Sequence, residues 1–304
     1  MSETPQVVVV GAACRDLVDD DECGWRLGGG ASYSALSFAR LGLRVGALVV
    51  ADDLAAGSAE LDMVRAAGVD VHVVPGSKGP IFINIETPSG RIQQTPQISD
   101  AVDPRALPAH WRDAKAWMFA PVAAEVRDEW AGVPPADALV GLGWQGLLRV
   151  LKDGAPVHHR APGPSPVVKR ADVIGVGSDD VDDATTPAHL AEFMHAGATL
   201  LFTDGIHGGT AYKVGERPDD LTRRHWHSIP IRKYVDPVGA GDTFLAGVFA
   251  AWVHPEITAE WDGEDPDLRL GAACGSLILE GPGVYGVPYL ADAIRRMHGG
   301  DNPD

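Results

Sequence analysis

The stretch Asp236-Pro237-Val238-Gly239-Ala240-Gly241-Asp242-Thr243-Phe244, continued by Leu245-Ala246-Gly247-Val248-Phe249-Ala250-Ala251-Trp252, runs a glycine turn straight into an apolar helix. Gly-Ala-Gly lets a backbone approach a ligand closely and take turns closed to larger residues. The first amides of the helix point outward with no carbonyl behind them. Such a terminus holds partial positive charge and is a ready anion site. Asp242 falls in the first turn, where its carboxylate is favoured and where a phosphate would lie beside it. A carboxylate so placed can take the proton from an attacking hydroxyl while the amides stabilise charge on phosphoryl oxygens. An ordinary helix start with an acidic residue would carry the same letters, so the choice falls to the rest of the chain.

Toward the N-terminus, Val7-Val8-Val9-Val10 ends at Gly11 and reads as a strand buried on both faces of a parallel sheet. A helix over 31–41 closes at Gly42, a strand follows over 45–50, a helix over 54–67 closes at Gly68, and a third strand spans 69–74. This alternation predicts βαβ units with helices on both faces of the sheet. Pro80 to Thr95 breaks it: apolar and polar residues alternate around Pro88-Ser89-Gly90, a hairpin signal that predicts a flap standing out from the sheet. Strands return near 116–119, 138–142, 171–175 and 198–203, with a loop over 154–166. Helices are expected over 241–253, 266–280 and 288–298, with a frayed tail from Gly299 to Asp304.

The chain has 304 residues, 45% of them hydrophobic and 22% charged, as in soluble globular proteins. Its 25 Lys+Arg against 42 Asp+Glu give a formal charge of −17. That field repels nucleic acid and anionic membrane, so neither is an expected partner, and any phosphate site must be built from local donors. Cys14, Cys23 and Cys274 lack paired-ligand spacing and read as reduced thiols. No signal-peptide pattern opens the chain, and no apolar run approaches the ~20 residues of a membrane span. A cytoplasmic protein is expected.

Four features, in order along the chain, resemble the signatures of the ribokinase (PfkB) carbohydrate kinase family. DPVGAGDTFLAG is similar to its C-terminal signature, and Gly28-Gly29-Gly30-Ala31-Ser32-Tyr33-Ser34-Ala35 with Ala39-Arg40-Leu41-Gly42 to its double-glycine helix. Leu201-Phe202-Thr203-Asp204-Gly205-Ile206-His207-Gly208-Gly209 resembles the nucleotide loop. Ala272-Ala273-Cys274-Gly275-Ser276 with Glu280-Gly281-Pro282-Gly283 resembles the adenine-side helix and turn. The resemblance spans nearly the whole chain. It implies an α/β fold: a ribokinase-like, mostly parallel central sheet flanked by helices in one domain over 1–304, with a small β lid from about 12–27 and 80–97.

The same resemblance implies roles. Asp242 matches the catalytic base, and the amides of Gly239, Ala240, Gly241 and Asp242 match the anion hole. Asp16 matches the residue that accepts from sugar hydroxyls, beside Gly28 and Gly29. Thr203, Gly205, Gly208 and Ser276 match positions around ATP, the co-substrate. There are departures from the pattern. Tyr33 stands where many sugar kinases carry Asn, so the acceptor pocket should differ. Gly177-Ser178-Asp179-Asp180 aligns with an Asn-x-x-Glu element that organises Mg²⁺; Asp180 keeps a carboxylate while Gly177 has no side chain. Asp236 matches a residue near a monovalent-cation loop, but Pro237 replaces the usual threonine, which leaves K⁺ dependence open. Tyr33 together with Gln145-Gly146-Leu147-Leu148-Arg149 resembles the inositol-kinase-like branch, with Gln145 a candidate for polyol binding.

No G-x-x-x-x-G-K-[ST] is present, and no G-x-G-x-x-G follows the first strand, which argues against P-loop and dinucleotide chemistry. His158-His159, His207, His225 and His227 lack compact metal spacing. The expected activity is ATP-dependent phosphorylation of a hydroxyl on a small sugar or polyol. Two alternatives stay open: a nucleoside kinase, and a non-catalytic sugar- or nucleotide-binding protein. The family lid implies a homodimer as a possible assembly.

Overall fold

Val7 to Val10 are fully buried, and alternate side chains enter different cores: Val7 and Val9 on one side, Val8 and Val10 on the other. A strand sends successive side chains to opposite faces, so this segment is the middle layer of a three-layer structure. The computed structural model describes residues 3–18, 21–87 and 90–300. Pro88 and Ser89 of the expected hairpin turn, and residues 301–304 of the expected tail, lie outside the described residues.

In chain order the first elements are β1 (Val7–Ala12), β2 (Cys14–Leu17), β3 (Trp25–Gly28), α1 (Gly30–Arg40), β4 (Val45–Val50), α2 (Asp53–Ala56), α3 (Ala59–Ala66) and β5 (Asp70–Val73). The hairpin strands β6 (Ile81–Thr87) and β7 (Gly90–Gln97) follow, then β8 (Ala116–Ala120), β9 (Leu139–Gly143) and three two-residue strands, β10 (Arg149–Val150), β11 (Ala155–Pro156) and β12 (His158–His159). The rest comprises α4 (Pro166–Arg170), β13 (Val173–Gly177), α5 (Pro187–Ala191), β14 (Thr199–Thr203), β15 (Gly209–Val214), β16 (Leu221–Trp226), α6 (Ala240–Val253), α7 (Pro266–Ile278) and α8 (Leu290–Met297).

The central sheet has the order β16-β15-β14-β13-β9-β8-β1-β4-β5. From β14 to β5 every pairing is parallel, while β15 and β16 add an antiparallel edge. One face is covered by α1, α3, α6, α7 and α8, whose apolar residues join one core. The other carries α4, α5 and short 3₁₀ turns over a core that includes buried Trp111, Trp117, Trp130 and Trp144.

One local expectation needs correction and another is filled out. The single helix expected over 54–67 is two, because Ser58 starts a new one: its Oγ accepts from the Leu61 N–H at 3.0 Å. The hairpin stands apart from the central sheet as expected, and it does so together with the 12–27 segment. β6 pairs in parallel with β2, which pairs with β3, and β7 carries β11, so the hairpin is the middle of a five-stranded sheet ordered β11-β7-β6-β2-β3.

Candidate active site

The parallel strands end at one rim of the central sheet, and a cleft opens there against the small sheet, where loops leaving such strands commonly bind ligands. The small sheet contributes Cys14, Asp16, Phe82, Asn84 and Gln93 to its lining. Gln145 and Arg149 enter after β9, Gly177, Asp180 and Thr203 from the ends of β13 and β14, and residues 237–242 close the remaining side.

The turn into α6 has the form that its glycines allow. Gly239 is the N-cap at φ +81°, in the left-handed region, and no side chain caps the helix. A Cβ at Gly239 would overlap the Tyr33 ring, so the aromatic residue on α1 forms the floor under the turn. Burial, and after it the Asp16 and Asp236 carboxylates, push the Tyr33 hydroxyl up, so it stays protonated. Gly241 faces open space: no neighbouring segment would lie within 4 Å of a Cβ there.

Asp242 is half-buried at the cleft floor. Withdrawal from water, and then the Asp180 and Asp16 carboxylates, raise its carboxyl to about 7, against an opposing pull from Arg149. A carboxyl poised there can both hold and release a proton near neutrality.

The triple glycine gives each residue a separate task. A side chain at Gly28 would overlap the Asp16 carboxylate, and one at Gly29, whose φ is +96°, would strike the Ala12 carbonyl. At Gly30 a Cβ would stand 2.8 Å from Asp242 Oδ1. Gly28 and Gly30 therefore clear space for the Asp16 and Asp242 carboxylates, both of which line the cleft. Gly30 is a site residue that sequence reasoning missed, although it belongs to the same motif.

Asp16 itself is 6% exposed on β2 and has the Cys14 thiol 3.7 Å from its Oδ1. Asp180 accepts from the Gly177 N–H at 3.0 Å and from Gln145 Nε2 at 2.7 Å. Gln145 thus lines the cleft but spends an amide hydrogen on Asp180. Arg149 is tied to the Val122 carbonyl at 3.2 Å and lies over the Phe82 ring, 5.9 Å from its centroid. With Asn84 and Gln93, joined by a 2.7 Å hydrogen bond, it adds polar groups that the sequence did not single out as site residues.

Residues 172–289 match the family described as pfkB family carbohydrate kinase. A pyrophosphate-dependent kinase in the ribokinase family, solved with a pyrophosphate analog and myo-inositol, superposes with a TM-score of 0.71 at 16% identity, over 94% of this chain and 98% of that one. This chain has the ribokinase fold, and it carries a pfkB-family segment. The nucleoside kinase of Methanocaldococcus jannaschii shares the fold at a TM-score of 0.67 and 16% identity, covering 98% and 100%. A fructokinase of Salmonella thompson is 31% identical over 74 residues, 24% of this chain and 33% of that relative's length.

On the ribokinase fold, the residues expected around a nucleotide separate into two groups. Thr203 reaches the cleft, its hydroxyl 3.5 Å from the Val176 carbonyl. Gly205 and Gly208 shape the turn beyond it, at φ +48° and +88°, and do not line the cleft. Ser276, expected near the nucleotide, is buried in α7, donating to the Ala273 carbonyl at 2.9 Å and accepting from Arg296 at 3.3 Å. Asp236 likewise stands outside the lining.

Magnesium is commonly held by one or two carboxylates together with substrate phosphates and water. Asp180 and Asp242 face the same cleft closely enough for one to raise the other's pKa. These residues fit a Mg²⁺ ion brought with phosphates. Among the described residues, no cluster of three or more His, Cys, Asp or Glu could hold one on its own.

Proposed function

We propose that the protein is a kinase that transfers the γ-phosphoryl group of ATP to a hydroxyl of a small sugar or polyol. The observation that carries this reading is Asp242, with its carboxyl at about 7, in the first turn of α6 and in the same cleft as Asp16. In this reading the small sheet is the lid over the acceptor. Asp16 accepts from acceptor hydroxyls, and Arg149, Asn84 and Gln93 donate to its oxygens. The amides of the Gly239–Asp242 turn face the phosphoryl oxygens. The acceptor oxygen forms the new bond to phosphorus, the bond from phosphorus to the bridging oxygen of the donor breaks, and the hydroxyl proton passes to Asp242. Magnesium held at Asp180 with the phosphates would supply charge neutralisation.

A second donor, pyrophosphate, is suggested by the fold's likeness to a pyrophosphate-dependent kinase solved with a pyrophosphate analog. Pyrophosphate needs only the anion turn and has no base to place. Initial rates with Mg-ATP or Mg-pyrophosphate against a panel of sugars, polyols and nucleosides test all the readings. ADP release with a sugar or polyol supports the first, and phosphate release from pyrophosphate the second. Turnover confined to nucleosides would move the acceptor class, and binding without turnover would leave a ligand-binding protein.

A further inference from the structure

The family resemblance made Asp236 a candidate ligand for a monovalent cation, but its carboxylate has other partners. Oδ1 accepts from the Val238 N–H at 2.9 Å. Oδ2 accepts from the Gly283 N–H at 3.0 Å and lies 3.6 Å from Arg26 Nη1. The neighbouring Pro237 brings no side-chain oxygen. The residues do not fit a potassium site centred on Asp236.

We infer that Arg26 stands in for the monovalent cation, its guanidinium holding Asp236 and, through it, the turn from Gly239 to Asp242. The inference rests on the kinase reading, since it makes Arg26 a positioning residue for the donor side. Asp236 fastens two chain segments, the 236–239 turn and the start of the 283–286 turn. Its side chain is only 13% exposed. Left uncompensated, that carboxylate would repel phosphates arriving at the adjoining turn, with little water to screen it. A guanidinium supplies the compensating charge, never deprotonates in a protein, and cannot diffuse away.

Arg26 is also well anchored. Its Nε lies 3.3 Å from Asp21 Oδ2, and its Cδ is 3.7 Å from where a Cβ on Gly283 would stand. It sits on β3 directly opposite Asp16 of β2 in the antiparallel ladder. The strand pair that presents the acceptor carboxylate therefore also carries the cation that braces the donor turn.

The test uses the 304-residue chain and its Arg26→Ala and Arg26→Lys variants in KCl, NaCl and choline chloride at one ionic strength. ADP and pyrophosphate binding by calorimetry, thermal melting and turnover are all measured. Wild-type values should agree within about twofold in the three salts, because the cation is built in. Arg26→Ala should bind the donor about tenfold or more weakly in choline, the loss expected for a charge-assisted contact. KCl or added guanidinium should restore its binding and raise its melting temperature, and Arg26→Lys should retain most of the affinity. Wild-type protein stimulated more than about fivefold by KCl over choline overturns the inference. So does Arg26→Ala that matches wild type in choline, or a folded Arg26→Ala that no cation restores. Wild-type protein that binds neither ADP nor pyrophosphate in any salt overturns the kinase reading, and the inference falls with it.

Discussion

Replacing Asp242 by asparagine should weaken catalysis and strengthen the fold, and pH separates the two effects. The carboxyl moves from an ordinary 3.8 to about 7 in the folded protein, chiefly through burial and the neighbouring Asp180. A raised folded-state pKa means that the native protein binds this proton more tightly than the unfolded chain does. The associated stability is present below the unfolded value and is lost as pH rises through about 7. Each tenfold difference in proton affinity is worth about 1.36 kcal/mol, so keeping Asp242 costs the fold about 1.6 kcal/mol at pH 5 and about 4 kcal/mol at pH 8. Asparagine is nearly isosteric and carries no charge. The stability difference between variant and wild type, from urea unfolding, should therefore be about 2–3 kcal/mol larger at pH 8 than at pH 5, whatever constant offset the amide adds. On the same preparation kcat should fall by at least about two orders of magnitude, the usual value of a general base. A stability difference that is equal at the two pH values would refute the buried, perturbed carboxyl. A folded variant that keeps more than about a tenth of wild-type kcat would refute its role as the base.

Wild-type kcat/KM should rise with pH and level off above about 7, as Asp242 becomes ionised, and a flat profile between pH 5 and 8 would count against it. Gly241→Val adds a side chain whose Cβ meets no neighbouring segment within 4 Å, so melting should move little while ADP binding collapses; unchanged binding in calorimetry would mean that the turn only starts a helix. Asp16→Ala should raise the acceptor KM far more than the ATP KM, by an amount equivalent to about 1.5–3 kcal/mol, in kinetics with both substrates varied. Arg296 is fully buried and pairs with Glu280 at 2.8 Å, so Arg296→Ala should destabilise the fold by about 3–5 kcal/mol in urea unfolding.

The residues that sequence alone disclosed are those whose task is local. Val7 to Val10 announce a buried parallel strand because four apolar residues in succession suit only a layer covered on both faces. Gly239-Ala240-Gly241-Asp242 announces a glycine turn into a helix because the positive φ of Gly239 and the open first amides are properties of that short segment. The 81–97 hairpin showed itself by its alternation, and so did its departure from the central layer. The β15–β16 hairpin did not: Leu221 to Trp226 has one buried residue out of six, so no apolar periodicity marks it as sheet.

What the tertiary structure alone decided is which side chains meet across long separations. Gln145 looked free to bind a polyol until the fold set Asp180, 35 residues away, beside its amide. Ser276 matched a cofactor position, yet the packing of α7 turned its hydroxyl toward Arg296. Gly30 clears space for an aspartate more than two hundred residues further along the chain, and Arg26 braces a turn equally remote. Motif and periodicity report backbone conformation and burial, which neighbours in sequence set together. The raised proton affinity of Asp242 comes first from burial and then from Asp180, Arg149 and Asp16, groups that only the folded chain brings around it.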